Sequence, residues 1–560
     1  MNRNEIMSLL YNSDVDSDSS LCEFDDDVFG PDWVDDKEDG NQNIYENNDT
    51  SSDYESDDGM TGNNWTEHFY EPHTNAHITF NPHNLPVGVN PDLIETLSLA
   101  SPFTFFSLFF DEEIINLLVV ETNKYANDKL SEPGLSRNAR LRKWKDVDKT
   151  EIKKLFGIIM WMGLVKMPCI SNYWSTNKLY NSYISSYMSR NRFELLLSML
   201  HVSDNSKARP DDRLYKIQPL IDLLVHKYNS ALIPEQNVCI DESIVPFKGR
   251  LKFRQFISNK RHRYGIKIFK LCTRDFYTSQ YKVYAGKEAT PGQSVSSKVV
   301  MELMEPYLDS GRVLFADNWY NSVDMAEKLL CRNTHLVGTL RANRKRNPTG
   351  VTKKKISKGE TVAKINNKGV TVLKWKDKRE VLMISTKHTN KIISVDRSRK
   401  TVKQKPEVVV DYNTGKGYIN LTDQLQSYHS ALRKSLKWYR KIIIDLICNI
   451  SVLNALSLFI GVSGQKMKIM KFREAIIEEL LRNDDEDTQQ SELIQPLPTL
   501  DHTLEKSPKT SRCKSCYSLL VKKEGRLIAQ KKTKRIKTRC NQCDQHLCPE
   551  CFFKTHKTRK

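Results

Sequence analysis

The sequence predicts a multidomain α/β protein, and three of its features point to this fold class. The chain has 560 residues, which is more than one hydrophobic core usually organises. Its apolar residues recur at helical spacing up to about residue 236 and then form short β-prone runs between turn residues. Six of its twelve cysteines fall within residues 513–551, which indicates a separate small module in that part of the chain.

The charge of the chain is distributed unevenly. Residues 1–60 contain 19 Asp and Glu but only 2 Lys and Arg. Residues 1–85 hold too little apolar surface to offset the entropy of ordering, so we expect an acidic disordered tail. Because the net charge of the whole chain is +17, the remaining 500 residues carry about +34. A folded body this basic indicates a polyanionic partner, usually nucleic acid, although a solvated basic surface is the alternative.

Membrane and secretion signals are not apparent in the sequence. The first thirty residues are acidic and lack an apolar centre, and the apolar runs at 117–120 and 158–165 are shorter than the roughly 18 residues of a membrane span. We therefore expect a soluble intracellular protein with no membrane partner. Cysteines in that setting rarely form structural disulfides, which favours metal binding for the cysteine cluster.

Residues 95–236 are predicted to form a helical region. Apolar side chains recur there at steps of three and four residues, as at Ile152, Leu155 and Ile159. A further helix is predicted from Arg190 to about residue 200, with Ser189 as its N-cap. We expect these apolar positions to be core faces rather than binding sites.

Residues 237–340 are predicted to form the first part of a mixed α/β domain. Its β-prone runs occur at 238–240, 264–271, 281–284 and 313–316. Two of these runs lead directly into an acid, Asp241 and Asp317. Carboxylates at equivalent ends of adjacent strands can hold a pair of divalent cations, as two-metal phosphoryl transfer requires. For either acid alone, a turn or cap residue is the alternative interpretation.

The rest of the chain alternates between basic, helical and acidic stretches. Residues 341–406 are predicted to be a basic, strand-rich insertion, with 21 Lys and Arg and 4 Asp and Glu in 341–405. The α/β domain is expected to resume at 407–429, and helical periodicity at 430–482 would complete the helical region. An acidic linker at 483–510 then leads to the cysteine module at 511–560.

The cysteine module has the paired spacing of structural zinc sites, Cys-x2-Cys-x23-Cys-x2-Cys-x4-Cys-x2-Cys-x4-His. Seven ligands exceed the four of one tetrahedral ion, so the pattern predicts two zinc ions in a cross-braced arrangement. We assign one ion to Cys513, Cys516, Cys548 and Cys551. We assign the other to Cys540, Cys543 and His556, with His546 as a candidate fourth ligand. Free buried cysteines are disfavoured, because so small a segment needs metal to fold.

Two basic groups are candidate DNA contacts. The first follows Asp241 and comprises Arg250, Lys252, Arg254, Lys260 and Arg263. The second lies beyond residue 430 and comprises Arg433, Lys434, Lys437, Trp438 and Arg440. Trp438 could stack on an unpaired base, and burial in a core is the equal alternative.

The cysteine module is also basic, with 15 Lys and Arg and 3 Asp and Glu in 511–560. DNA contact is its expected role, and protein binding is the alternative. The run 531–539 resembles a nuclear localisation signal, so we expect a nuclear protein.

Several motifs together resemble the piggyBac family of DNA transposases. The catalytic blocks of that family are matched, in order, by residues 241–250 (DESIVPFKGR), 317–322 (DNWYNS) and 411–424 (DYNTGKGYINLTDQ). Upstream segments that are also similar to the family are residues 121–126 (ETNKYA), 188–193 (MSRNRF) and 212–217 (DRLYKI). The resemblance covers about residues 95–460 and the cysteine module.

The resemblance implies an RNase H-like catalytic core, a helical region that serves dimerisation and DNA binding, and hence a homodimer. It also implies cutting and rejoining of double-stranded DNA at transposon ends and TTAA targets, with Mg²⁺ or Mn²⁺ held by three aspartates. Two of these map onto Asp241 and Asp317. The third falls on Asn420, and a further acid of the family falls on Asp423.

Asn420 keeps a carbonyl oxygen but lacks the charge of an aspartate. We therefore expect impaired catalysis, unless Asp423, one helical turn later, partly substitutes. An inactivated or domesticated DNA-binding protein is the alternative function.

Overall fold

The computed structural model describes residues 64–70, 73–82, 87–257, 262–286, 294–397, 401–435, 437–482, 504–540 and 545–556. The chain divides into two units, Met1–Leu481 and Arg482–Lys560. Each unit has its own hydrophobic core, as the separate clusters of buried side chains show.

The first unit begins with a helical region whose helices carry their own start signals. Its elements are β1 (Gly88–Val89), α1 (Pro91–Leu97), α2 (Pro102–Ser107), α3 (Glu112–Ser131), α4 (Lys149–Leu164), α5 (Ile184–Tyr187), α6 (Arg190–Met199), α7 (Gln218–Ala231) and β2 (Leu232–Ile233). The side chains of Ser101, Asp111 and Ser189 accept a first-turn backbone NH and so cap α2, α3 and α6. The predicted Ser189 cap and the helix after it are therefore confirmed.

A nine-stranded mixed sheet follows the helical region. Its strands are β3 (Asn237–Pro246), β4 (Gln255–Phe256), β5 (Tyr264–Cys272), β6 (Thr278–Val283), β7 (Val313–Ala316), β8 (His335–Thr339), β9 (Thr361–Ile365), β10 (Thr371–Lys376) and β11 (Glu380–Ser385). The strand order is β4-β5-β3-β7-β8-β11-β10-β9, with β6 paired to β5. β3, β7 and β8 are parallel, and the other pairings are antiparallel.

The basic insertion extends this sheet instead of forming a sheet of its own. β11 pairs with β8, the last of the parallel strands, through Met383 opposite Thr339. An unpaired strand edge exposes backbone donors and acceptors, and the antiparallel addition of β11, β10 and β9 satisfies those of β8. The separate part of the insertion is the hairpin of β12 (Ile392–Arg397) and β13 (Thr401–Pro406).

Helices cover both faces of the sheet. One face, which carries Val238 and Ile240 of β3, packs against α8 (Val295–Met304) and α9 (Val323–Leu330). The opposite face, which carries Cys239 of β3, packs against α11 (Glu407–Gly415) and α12 (Gly417–Ser427). The short helix α10 (Thr349–Thr352) lies beside β9 and β10.

Later helices complete the core of the helical region. They are α13 (Trp438–Asp445), a π-helical turn (Leu446–Ile450), α14 (Ser451–Ser463) and α15 (Ile469–Leu480). Phe459 of α14 meets Phe105 edge to face with ring centroids 5.5 Å apart. Within the described residues, the continuous helix Trp438–Ser463 has the length and apolarity of a membrane span, but its apolar window is entirely buried inside the protein. Such burial is the pattern of a core helix.

Residues 64–70 and 73–82 lie against the sheet, and we name them the N-terminal strap. Thr66 exchanges backbone hydrogen bonds with Ile365 at the β9 edge. The Asn75 amide donates to the carbonyls of Lys368, Gly369 and Thr386 at 3.1–3.3 Å. The predicted acidic tail of 1–85 therefore ends too late, because these strap residues satisfy backbone groups of the sheet; residues 1–63 lie outside the described part.

The second unit is small and built around cysteines. Its elements are β14 (Leu504–Arg512), α16 (Lys514–Glu524), α17 (Arg526–Lys532), β15 (Arg535–Cys540) and α18 (Pro549–His556). β14 and β15 pair antiparallel. Cys513, Cys540, Leu547 and Phe552 form its buried core.

Candidate functional site

Asp241 and Asp317 occupy neighbouring positions in the sheet. β3 and β7 are parallel with Ile240 opposite Ala316, so the next residue along each strand is one of the two acids. β7 ends at this point, whereas β3 continues to Pro246 in its pairing with β5. The prediction that Asp241 ends its strand is therefore wrong, because β5 extends β3 past the acid. The register still sets the two acids side by side.

Asp317 is half-buried at this edge, and its Oδ1 accepts a hydrogen bond from the backbone NH of Trp319 at 2.8 Å. Burial, followed by the carboxylate of Glu242, raises the pKa of Asp317 above its ordinary value. Carboxylates held close together with limited solvation repel one another, and a cation between them relieves that repulsion.

Glu242 is a third carboxylate of this edge, and the sequence analysis gave it no role. Its Oε2 accepts a hydrogen bond from the hydroxyl of the buried Tyr320 at 3.4 Å. Burial and then the charges of Glu242, Asp241 and Asp317 raise the pKa of Tyr320, so these acids surround one phenol. Consecutive strand residues face opposite sides of a sheet, which is why adjacency to Asp241 did not single out Glu242.

The third sequence block, residues 411–424, reaches α12, which lies alongside β3. The backbone of Ile419 reaches the thiol of Cys239, and the carboxylate of Asp423 reaches Ser243. Residues 419–423 therefore run beside residues 239–243, and Asn420, within this stretch of α12, is exposed. The topology thus brings the three sequence-predicted positions to one edge of the sheet.

Asp423 is already engaged by two donors. Its Oδ1 accepts a hydrogen bond from Ser243 Oγ at 2.6 Å and from Lys270 Nζ at 3.1 Å. Lys270 is 1% exposed and also donates to Gln426 Oε1 at 2.7 Å. Burial disfavours its ammonium, but the carboxylates of Asp423 and Asp445 outweigh burial and raise the pKa of Lys270. Lys270 was not among the residues predicted from the sequence, where its signal was a cation within the apolar run of β5.

A chain of buried polar groups continues beneath Lys270. Asp445 is buried at the end of α13, where burial raises the pKa of its carboxyl, and Asn449 Nδ2 donates to it at 2.8 Å. Lys441 Nζ donates to the Pro246 carbonyl at 2.5 Å, and burial lowers the pKa of Lys441 to about 8. Arg473 donates to the Cys448 carbonyl at 2.6 Å within the π-helical turn. These contacts tie the end of β3 to the helical core.

The candidate metal ligands at this edge of the sheet are oxygen atoms, which Mg²⁺ and Mn²⁺ prefer. Asp241 and Asp317 offer charged oxygens and fit one such cation. Asn420 offers a neutral amide oxygen. Asp241 and Asp317 therefore fit a divalent cation better than the residues of α12 do.

The two predicted basic groups meet beyond the end of β3, at Pro246. The ring of Phe253, in the loop after β3, meets Trp438 edge to face with centroids 5.1 Å apart. Arg250, Lys252 and Arg263 of the first group are exposed, and Lys434 and Lys437 of the second are half-exposed. Lys260 lies outside the described residues. We name Arg250, Lys252, Arg263, Lys434 and Lys437 the basic loop surface.

Three other arginines predicted to contact DNA serve the fold. Arg440 is 9% exposed and donates to the Ser198 carbonyl. Arg433 donates to the Tyr173 hydroxyl, and Arg254 closes its own loop through the Lys248 carbonyl at 2.8 Å. Burial keeps the Arg440 guanidinium from the surface, whereas Arg433 and Arg254 are half-buried and their phosphate contacts stay predictions. The half-buried packing of Trp438 on Phe253 favours the core alternative over base stacking.

Four cysteines of the second unit converge on one point. Their Sγ atoms all lie within 4.8 Å of one another, and the group comprises Cys513, Cys516, Cys548 and Cys551. Cys548 lies 3.7 Å from Cys513 and 3.9 Å from Cys516. A tetrahedral zinc ion with Zn–S bonds of about 2.3 Å needs sulfur atoms about 3.8 Å apart, so the geometry fits. Burial opposes ionisation of Cys513, but backbone NH groups of Cys516 and Cys548 lower its pKa to about 7.

The second predicted zinc site is only partly within the described residues. Cys540 is buried, whereas Cys543 and the side chain of His556 lie outside the described part. His546 Nε2 lies 3.1 Å from Ser507 Oγ and 3.3 Å from the Lys509 carbonyl, so this nitrogen faces β14. Only its Nδ1 could then serve a metal, and the second site stays a prediction.

Comparison with known proteins places these features in context. Residues 101–456 match the family described as "Transposase IS4". The human protein "PiggyBac transposable element-derived protein 3" is 26% identical over 484 residues, which cover 82% of this chain and 76% of that protein. Human "PiggyBac transposable element-derived protein 2" is 26% identical over 443 residues, covering 75% of this chain and 72% of that protein.

A solved structure has a similar fold. It is the "Cryo-EM structure of piggyBac transposase synaptic complex with hairpin DNA", which matches with a TM-score of 0.63. The match covers 83% of this chain and 98% of that chain, at 24% sequence identity.

Proposed function

This chain belongs to the piggyBac family of transposases, and from that premise we propose that it binds double-stranded DNA and carries a DNA-cutting and rejoining site that Asn420 impairs. The substrates we propose are transposon ends and TTAA targets. The observation that carries the proposal is the parallel register of β3 and β7, which brings Asp241 and Asp317 together. We infer that β6-β5-β3-β7-β8 is the RNase H-like core that the family resemblance implies.

The acids at the sheet edge define the proposed chemistry. Asp241 and Asp317 would hold Mg²⁺ or Mn²⁺, and a divalent ion supplies activation of the attacking oxygen and stabilisation of the leaving oxygen in phosphoryl transfer. The backbone NH of Trp319 fixes the Asp317 carboxylate, and Tyr320 fixes Glu242 beside it. A fixed carboxylate costs less to reorganise when the reaction begins.

Asn420 is the proposed defect in this site. It lies where the family resemblance expects the third aspartate, and its amide contributes no negative charge. Asp423 does not restore that charge, because its Oδ1 is already paired with Lys270. The residues therefore support strand recognition better than strand cleavage.

DNA recognition is assigned to the basic surfaces of the chain. The basic loop surface follows the end of the strand that carries Asp241, and we propose that it contacts DNA phosphates. The basic cysteine module, with two zinc ions proposed, would form a second contact, and the run 531–539 would direct the protein to the nucleus. A DNA partner is supported by the solved relative, whose title describes a synaptic complex with hairpin DNA. A homodimer is proposed on the family resemblance.

Strand cleavage by the Asn420→Asp variant tests the proposal. The substrate is a DNA duplex that carries a terminal inverted repeat of a piggyBac-type transposon with TTAA beside it, in Mg²⁺ or Mn²⁺. We expect Asn420→Asp to cut at least about 100-fold faster than the parent chain, which corresponds to roughly 3 kcal/mol of transition-state stabilisation. The double variant Asn420→Asp/Asp317→Asn is the control and should bind the duplex without cutting it.

The other outcomes are equally informative. Equal cleavage by the parent chain and Asn420→Asp would mean that another group completes the site and that Asn420 is not a defect. Binding without cleavage by either chain would make the protein a DNA-binding module, and absence of binding to the duplex would overturn the proposal.

A further inference from the structure

Lys270 gives the third sequence block a positive charge of its own. We infer that the Lys270 ammonium neutralises the carboxylate of Asp423 on α12, and that the site therefore holds a single divalent cation, between Asp241 and Asp317. This inference rests on the proposed function, whose chemistry expects two ions. It concerns how many ions the residues of this chain can hold.

The position of Lys270 follows from strand register. β3 and β5 are antiparallel with Lys270 directly opposite Asp241, so both side chains rise from the same face of the sheet. That face is the one covered by α12, from which Asp423 and Gln426 bind the ammonium at 3.1 and 2.7 Å. The ammonium thus lies between the strand that carries Asp241 and the helix that carries Asn420.

The charges on the α12 side then cancel. Asn420 contributes no charge, and Asp423 and Lys270 contribute one negative and one positive charge in direct contact. Asp445 lies beneath Lys270 as a further buried anion, so the ammonium has anionic neighbours on more than one side. A dication placed next to Asn420 would meet the repulsion of a buried ammonium without a free carboxylate to offset it.

The oxygen atoms of Asp423 lead to the same conclusion. Among the described residues, both hydrogen bonds to this carboxylate end on Oδ1, which Ser243 and Lys270 share. The carboxylate is fixed by these donors and cannot chelate a cation through both oxygens without losing them. On the strand side, Asp241 and Asp317 carry their charges on neighbouring parallel strands, and the carboxylate of Glu242 adds to the negative charge near Asp317.

The number of bound Mn²⁺ ions tests the inference. Free Mn²⁺ is measured by electron paramagnetic resonance during titration of the zinc-saturated full-length chain, so that the cysteines are occupied. We expect one Mn²⁺ per parent chain, none for Asp317→Asn, and two for Lys270→Met/Asn420→Asp. Lys270→Met alone should bind Mn²⁺ about tenfold more tightly, because it removes the repelling charge.

Matched variants separate charge from burial. Lys270→Arg keeps the charge and should behave as the parent chain. Lys374→Met removes another buried lysine of the same sheet, one that donates to the Thr352 and Lys354 carbonyls, and should leave Mn²⁺ binding unchanged.

Several results would overturn the inference. The parent chain, which needs no variant to fold, could bind two Mn²⁺ ions or none. Alternatively, Lys270→Met variants that melt as the parent chain does could show unchanged Mn²⁺ stoichiometry and affinity. One Mn²⁺ on the parent chain together with no cleavage by Asn420→Asp would instead refute the proposed function and leave the role of Lys270 standing.

Discussion

His201 lies in the helical core as a neutral ring. It stacks on Tyr125 with centroids 4.1 Å apart, meets Tyr439 edge to face, and places Nε2 3.0 Å from Asn205 Oδ1. Burial lowers its pKa from 6.5 to about 4, and the charges of Lys216 and Arg440 act in the same direction. The folded protein therefore resists protonation of a group that the unfolded chain protonates readily.

Acid should consequently destabilise the first unit through His201. Below pH 6.5 His201 is protonated in the unfolded chain, but in the folded protein it stays neutral down to about pH 4. The free energy of unfolding therefore falls across this window as pH decreases. The difference corresponds to about 3 kcal/mol in the free energy of unfolding. Urea unfolding at pH 7 and pH 4.5 measures it, with His201→Phe losing less stability than the parent chain over this interval. The exposed His226→Gln should follow the parent chain, and an identical loss in His201→Phe would contradict the assignment.

Residue types alone did not separate structural cations from surface cations. Arg250 and Arg440 were equal candidates for DNA contact, yet Arg250 is exposed and Arg440 is buried under the Ser198 carbonyl. Their difference arises from helix packing between segments more than 200 residues apart, which local spacing does not encode. The same limit hid Lys270, whose partner Asp423 lies 153 residues away.

At the scale of elements, Gly415 sets the distance between α11 and β7. A Cβ at this position would lie 2.2 Å from Cγ of the Phe315 ring, two residues before Asp317. The helix pair that carries Asn420 can therefore approach the strand that carries Asp317 only while this side chain is absent.

Gly415→Ala should push α11 and α12 away from the acids. We expect a loss of about 1–3 kcal/mol in the free energy of unfolding from overpacking. In the Asn420→Asp background, strand cleavage should fall as well, because the third sequence block moves. Gly417→Ala is the matched control, since a Cβ there meets nothing within 4 Å, and it should fold and cut normally. Equal urea midpoints for both alanine variants would refute the close approach.

Element types were more predictable than their partners. The insertion at 341–406 was predicted to be rich in strands, and the structure contains β9, β10 and β11 there. Their placement at the end of the central sheet was not predictable, because register with β8 depends on backbone pairing across a long connection. Similarly, the end of β3 depended on β5 and not on the residues after Asp241.

At the scale of the whole molecule, the two units have cores of different origin. The first unit buries a large set of aliphatic and aromatic side chains, whereas the second buries mainly cysteines with Leu547 and Phe552. So small an apolar core gives little stability without a cross-link, which the four converging thiolates would supply through zinc.

Loss of zinc should therefore unfold the second unit alone. Cys548→Ser removes a sulfur that lies 3.7 Å from that of Cys513 and 3.9 Å from that of Cys516, and it should release the zinc proposed for this site. Limited proteolysis should then cut within 504–556, while the melting of the first unit stays unchanged. Cys331→Ser, at an exposed cysteine of the first unit, should retain full zinc content. Joint melting of both units would contradict their independence.

Cysteine spacing made the cluster of Cys513, Cys516, Cys548 and Cys551 predictable, because the two cysteines of each pair need only local geometry to converge. The shared core of α2 and α14 needed the fold, since Phe105 and Phe459 meet across most of the chain. The acid tail boundary failed for a related reason, because composition does not reveal that Asn75 has carbonyl partners near residue 369.

The N-terminal strap has a practical consequence for anyone shortening this chain. A chain begun at residue 87, just before the first helices, would leave the β9 edge unpaired at Ile365. It would also remove the Asn75 amide, which donates hydrogen bonds to the carbonyls of Gly369 and Thr386. It would also uncover Gly311, whose backbone the strap approaches so closely that a Cβ would lie 2.0 Å from the Thr79 carbonyl oxygen. Exposed strand edges recruit other edges, so such a protein would tend to aggregate, whereas a start at residue 64 keeps the edge covered.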